Sequence, residues 1–168
     1  MSAVTATLDR EAAWRLAATV VDPEIPVLTI EDLGILRAVE VADGVARVTI
    51  TPTYSGCPAM DAIRDDLGRA FHHAFGAGRV EVRTVLHPAW TTDWMSEAGR
   101  RKLAEFGIAP PSGRAGHAGG PVRLTLATRC PRCGSADTVE VSRFGSTSCK
   151  ALYECRSCLE PFDYFRVL

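Results

Sequence analysis

Two Cys-x-x-Cys knuckles constrain this chain more than any other feature: Cys130-Pro131-Arg132-Cys133 and Cys155-Arg156-Ser157-Cys158, with 21 residues between them. Each knuckle can turn two sulfurs toward one point. Two knuckles supply the four thiolates of a tetrahedral metal site, at metal–sulfur distances of about 2.3 Å for zinc. Residues 122–168 are too few to bury much of a core, and domains of that size commonly depend on a metal or a disulfide. Zinc is the default ion for four cysteines in a reducing compartment. Iron in the same cage would make a rubredoxin-like electron carrier, and the stretch from Cys130 to Gly134 suits either ion. With all four positions filled by protein, the site reads as a closed staple rather than a catalytic centre.

Charge narrows what the chain can bind. The formal net charge is −1 over 168 residues, so no bulk field draws it to nucleic acid or to an anionic membrane. Residues 122–168 hold seven basic and five acidic side chains. Four thiolates around one divalent ion subtract two charges, which leaves that segment near neutral, without the basic excess of a nucleic-acid reader. No apolar run approaches the roughly 18 residues of a membrane span. The first ten residues lack a basic segment followed by an apolar stretch, so we expect no secretory signal. With paired knuckles and no such signal, the six cysteines are expected to be reduced thiols in the cytoplasm rather than disulfides.

Residues 109–121 read APPSGRAGHAGGP, rich in Pro, Gly and Ala with no apolar period, and are expected to be a flexible linker. The expected organisation is therefore an α/β domain over 1–108, the linker over 109–121 and a zinc-ribbon domain over 122–168. In the first part, Leu8, Ala12, Leu16 and Val20 have helical spacing that ends before Asp22-Pro23. Residues 36–41 and 45–51 read as strands around an Asp43-Gly44 hairpin turn. Met60, Ile63, Leu67, Phe71 and Ala74 form one stripe of a second helix. A third strand over 79–86 and a third helix over 96–106 complete the order α-β-β-α-β-α, an α/β (α+β) sandwich with helices against a three-stranded sheet. The tail reads as short strands over 122–127, 138–144 and 162–167.

Cys57 is the most informative single residue. It stands in Thr51-Pro52-Thr53-Tyr54-Ser55-Gly56-Cys57-Pro58-Ala59-Met60, where Pro58 suits the first position of the following helix. Backbone N–H groups at that helix start would favour a thiolate and lower its pKa, making Cys57 a nucleophile or soft-metal ligand; the alternative is a buried cysteine filling space beside the sheet. An orienting base is hard to find. His72 and His73 lie several turns away on polar flanks of the helix, His117 lies in the linker, and a Cys57–His87 pair would require the fold to bring them together. Cys149 reads as a spare ligand or as core filler. Asp22, Glu24, Glu31 and Asp32 form an acidic loop that suits a hard cation or, more simply, a solvated loop with Asp32 capping a turn. Trp90 and Trp94 are either core or partner-facing.

Asp22-Pro23-Glu24-Ile25-Pro26, Asp32-Leu33-Gly34, residues 51–60 and Pro88-Ala89-Trp90-Thr91 together resemble the small domain of the SufT-type iron–sulfur assembly factors. The stretch Cys149-Lys150-Ala151-Leu152-Tyr153, the second knuckle and Glu160-Pro161-Phe162-Asp163-Tyr164-Phe165 are similar to one branch of that family, the PaaD components of the phenylacetyl-CoA epoxidase system. The resemblance implies an accessory subunit, not an enzyme by itself, that assists maturation or repair of an iron or iron–sulfur centre in a ring-epoxidising multicomponent oxygenase of phenylacetate degradation; the alternatives are a rubredoxin-like electron carrier to the oxygenase and a purely structural adaptor within the complex. It implies Cys57 as a transient iron or cluster ligand, and Cys130, Cys133, Cys155 and Cys158 as ligands of structural zinc. It implies the oxygenase and reductase subunits as partners, with homo-oligomerisation open. One cysteine cannot hold a cluster that takes four ligands, so Cys57 would share its cargo with a second protomer, a small thiol or the client.

Overall fold

The structure is a computed structural model that describes residues 7–112 and 128–167. The chain divides into two compact units, Met1–Trp90 and Thr91–Leu168. The first opens with α1 (Arg10–Ala17), capped by Asp9, whose carboxylate accepts the Ala12 N–H at 2.8 Å. Strands β1 (Leu36–Ala42) and β2 (Val45–Ile50) pair as an antiparallel hairpin. Its turn residues Asp43 and Gly44 have φ of 52° and 74°, the pair of positive values that a two-residue turn matching strand twist requires. A crossover through α2 (Ala59–Phe75) returns the chain to β3 (Val80–Thr84), parallel to β2, so the sheet order is β1-β2-β3. Among the described residues this is the three-stranded sheet expected from the strand pattern.

Burial follows the two periods. In β2, Ala46, Val48 and Ile50 are fully buried while Arg47 is exposed, so one face carries the core. From α2 the stripe Met60, Ile63, Leu67, Phe71 and Phe75 is buried. α1 packs on β1 and on α2, and α2 on β3. The loop between α1 and β1 adds Ile25, Leu28, Ile30, Leu33 and Ile35, each no more than 2% exposed. That loop is therefore part of the core, although its prolines and acids read as a surface segment.

The second unit departs from the expected organisation. α3 (Glu97–Phe106), capped by the Ser96 hydroxyl and closed by a left-handed Gly107, leads directly into β4 (Ile108–Ala109), which pairs in parallel with β7 (Pro161–Phe165). The remaining strands β5 (Thr138–Ser142) and β6 (Lys150–Cys155) give the sheet order β4-β7-β6-β5. Compactness thus groups the α3–β4 segment with the ribbon, because β4 pairs with β7, and the division between the two units lies at Trp90/Thr91. Arg100 closes this segment on itself, donating to the carbonyls of Thr92 at 2.7 Å and Pro111 at 3.0 Å. Most of the expected linker, and the expected strand over 122–127, lie outside the described residues. The ribbon core gathers Ala109, Ala151, Phe162 and Tyr164 around the buried Cys130 and Cys155, and Tyr153 sits edge-on to Tyr164 with ring centroids 5.4 Å apart.

Candidate functional site

The four knuckle sulfurs converge, all lying within 4.8 Å of one another. Cys130 Sγ is 3.8 Å from Cys158 Sγ, and Cys133 Sγ is 3.5 Å from Cys155 Sγ. A tetrahedron with zinc–sulfur bonds of 2.3 Å has edges of about 3.8 Å, so the donor set fits a four-thiolate zinc site. The two knuckles share one backbone frame. The N–H of Cys130 donates to Ser135 O and that of Gly134 to Cys130 O, just as Cys155 N–H donates to Glu160 O and Leu159 N–H to Cys155 O. The hydroxyls of Ser135 and Ser157 join the knuckles at 2.8 Å. The backbone N–H of Cys158 draws the Cys155 thiol down to about 7. Cys158 accepts the Glu160 N–H, which lowers it, but burial and the neighbouring thiols of Cys155, Cys133 and Cys130 outweigh this and push it up to about 12. Four thiolates this close repel one another, and a divalent cation at their centre is what lets all four ionise together. The cage is not sealed evenly: Cys130 and Cys155 are buried, Cys158 is half-buried and Cys133 is exposed.

Cys57 lies just before α2, whose cap position is Pro58, one residue later than expected. Its sulfur receives the backbone N–H of Ala59 and the hydroxyls of Thr53 and Tyr54. The helix-start donor anticipated from the sequence is therefore present. The thiol is nevertheless buried, as in the alternative reading, and it is not acidified as the helix start alone would have it. It is 9% exposed, and burial pushes its pKa above the ordinary 9.0, with the Glu24 carboxylate adding to the rise against the three donors. Desolvation outweighs a partial positive charge when the sulfur is covered. The cover is thin: the adjoining Ser55 and Gly56 are exposed, Gly56 has φ 82°, and nothing lies within 4 Å of where its Cβ would be.

The acidic loop is built as a set of caps. Asp22, 6% exposed, accepts the N–H groups of Glu24 and Ile25, both at 2.8 Å. Asp32 and Thr29 exchange side-chain-to-backbone bonds at 3.1 and 3.0 Å, and Glu31 accepts the Trp14 indole at 2.8 Å. Asp22 thereby shapes the turn that carries Glu24 to Cys57. The other sequence candidates are not brought to either sulfur site. His72, His73 and His87 are exposed, and His117 lies outside the described residues. Cys149 is buried with its sulfur 3.0 Å from the Thr147 hydroxyl and stands outside the sulfur cage. Trp90 is 5% exposed and donates its indole N–H to Leu33 O at 2.9 Å, a core role, whereas Trp94 is half-buried. Sequence reasoning missed Thr53 and Tyr54 as hydroxyl donors, and only their closeness to Cys57 along the chain could have signalled them.

Comparison with known proteins gives two separate matches, with residues 84–115 in neither. Residues 10–83 match the family model described as iron-sulfur cluster assembly protein, and residues 116–166 match the PaaD zinc beta ribbon domain. The zinc ribbon match favours zinc over iron for the cage. A crystal structure of "Domain of Unknown Function DUF59" from Bacillus anthracis is 26% identical with a TM-score of 0.52, covering 56% of this chain and 90% of that one. The "Fe-S protein maturation auxiliary factor" of Porphyromonas gingivalis (strain ATCC BAA-308 / W83) is 40% identical over 53% of this chain and 85% of the relative. The Escherichia coli (strain K12) protein named as the D component of a "Putative 1,2-phenylacetyl-CoA epoxidase" is 49% identical over 92% of this chain and 91% of the relative. The chain belongs to the PaaD family of phenylacetyl-CoA epoxidase components, in which an iron–sulfur assembly domain is joined to a zinc ribbon.

Proposed function

We propose that this chain is a non-catalytic accessory subunit that hands iron, or an iron–sulfur cluster, to a metal centre of a phenylacetyl-CoA epoxidase in the cytoplasm, with Cys57 as the transient ligand. The observation that carries this reading is the sulfur of Cys57, held by one backbone and two hydroxyl donors beside Glu24 inside the segment that matches the iron–sulfur assembly model. Those donors stabilise a thiolate, while burial keeps the sulfur protonated until a cation arrives. Binding of a ferrous ion would then release the Cys57 proton to solvent and form one sulfur–iron bond, and the Glu24 carboxylate, whose charge acts on that sulfur, would offset part of the ion's charge. A single protein thiolate is a weak holder compared with a four-ligand cage, which suits a metal that must leave again. Among the described residues the histidines nearest in sequence are solvent-facing, so they do not supply the imidazole base that nucleophilic catalysis asks for.

The test is Cys57→Ser in a host that grows on phenylacetate as sole carbon source. We expect growth to fail and the epoxidase subunits to purify with depleted iron, while the variant keeps its zinc. Normal growth with full iron occupancy would reject the reading.

A further inference from the structure

The four cage sulfurs are alike in chemistry and unlike in access. Of the six cysteines in the chain, Cys133 alone is exposed; Cys158 is half-buried, and Cys57, Cys130, Cys149 and Cys155 are buried. The cause is local. Cys133 stands in the turn of the first knuckle between the exposed Arg132 and Gly134. Cys155 ends β6, and it joins Cys130, Phe162 and Tyr164 in the ribbon core. The nearest sulfur recorded for Cys133 belongs to the opposite knuckle: Cys155 Sγ, at 3.5 Å. The other crossed pair, Cys130 and Cys158, is 3.8 Å apart. Both pairs are close enough to join with little movement, so access decides which reacts. An oxidant in solution meets Cys133 first, with a fully buried thiol directly behind it. A solvent-accessible thiolate poised beside a second cysteine is the arrangement of a redox-sensing site.

We propose that Cys133 and Cys155 form a peroxide-sensitive release for the ribbon's zinc, in which Cys133 is the sulfur that hydrogen peroxide oxidises and Cys155 the sulfur that resolves it. Both are thiolates when zinc is bound, and the thiolate is the reactive form. The Cys133 thiolate attacks one peroxide oxygen. A sulfur–oxygen bond forms, the O–O bond breaks, and the departing hydroxide takes a solvent proton to become water. The Cys155 thiolate then attacks Cys133 Sγ. The disulfide forms, the sulfur–oxygen bond breaks, and a second hydroxide leaves as water with a second solvent proton. Two thiolates are thereby oxidised and one peroxide is reduced to two waters. Cys130 and Cys158 remain, too few donors for a closed zinc site. The ion leaves, and the ribbon loses the element that organises it. Cys57 is buried and outside the cage, so the switch does not depend on the delivery function proposed above.

The experiment treats full-length, zinc-loaded protein with hydrogen peroxide. Zinc is followed with a metallochromic indicator, disulfides by peptide mass spectrometry after alkylation without reduction, and folding by amide resonances. In wild type we expect Cys133–Cys155 as the first disulfide, zinc released in step with it, and the resonances of β5–β7 lost while those of β1–β3 persist. Cys133→His keeps a donor that zinc accepts but removes the exposed sulfur, and its zinc release is expected to be at least about tenfold slower. Cys57→Ser is expected to release zinc at the wild-type rate. A first disulfide other than Cys133–Cys155, oxidation without zinc release, or a ribbon that stays folded after its zinc has gone would overturn the proposal. So would a release rate altered by Cys57→Ser, or Cys133→His protein that holds zinc and loses it as fast as wild type. If Cys133→His holds no zinc, the wild-type disulfide map decides alone.

Discussion

The chain holds sulfur in two ways. In the ribbon, four thiols are brought within 4.8 Å of one another by two knuckles whose core is small, so the ion itself is the organising element. In the assembly domain, one thiol is positioned beforehand by a completed hydrophobic core and a loop of reciprocal caps, and in the function proposed above an ion there would be a visitor. The first arrangement can retain a metal indefinitely; the second, on that proposal, would bind and release one. That contrast predicts opposite responses to the same treatments.

The largest difference should appear on metal removal. Structural zinc in small domains contributes roughly 10 kcal/mol or more of apparent folding free energy. Chelation at neutral pH, or Cys155→Ser, is therefore expected to unfold residues in the second unit, including β4 and α3, which are paired or packed within it. The amide resonances of α1, α2 and β1–β3 should persist. Loss of both units together would break the comparison by showing that the assembly domain depends on the ribbon ion.

How much of this was legible in the sequence depended on how local each signal was. The knuckle spacing, the Asp43-Gly44 turn and the α2 stripe are short-range patterns, and each reappears in the structure, the stripe ending on Phe75 rather than the expected Ala74. The ribbon strand β6 was missed because it opens on a charged residue and its burial does not alternate; in the fold Lys150 is buried and lies 3.4 Å from Asp163, a compensation visible only across strands. β4 was missed because two residues carry no period. Cys57 stands beside a helix start, as the sequence indicated, but which of its two readings holds was not legible there, since desolvation is set by residues distant in sequence whereas the N–H donor is local.

A middling effect is expected at Asp22. Its buried carboxylate satisfies two backbone N–H groups, and leaving buried donors unpaired costs about 1–3 kcal/mol. Asp22→Ala should destabilise the first unit by about that amount in denaturant titration and leave zinc retention unchanged. An unchanged unfolding midpoint would mean that the loop around Cys57 is not preorganised by its caps.

The pH response is smaller and has a definite sign. Because the folded-state pKa of Cys57 is raised above 9.0, the native state holds this proton more tightly than the unfolded chain. Its contribution to stability is complete below pH 9 and is lost as pH rises through the folded value. Stability of the first unit should therefore slope downward above pH 9, and Cys57→Ser should flatten that slope. A slope unaffected by the substitution would place the titrating group elsewhere.

The smallest effect is also the most discriminating. Glu24 raises the Cys57 thiol by charge alone, as a minor contribution beside burial. Glu24→Gln should lower the pKa slightly, so alkylation of Cys57 at pH 8, followed by peptide mass spectrometry on zinc-loaded protein, should quicken modestly. If Glu24 also steadies an incoming cation, the same substitution should weaken ferrous-ion binding, because removing a carboxylate helps a free thiolate and harms a metal site. A general opening of the loop would raise both alkylation and ion uptake. Opposite movement of the two readouts is expected only where the carboxylate and the sulfur act on the same ion, which distinguishes a delivery site from a thiol that is merely covered.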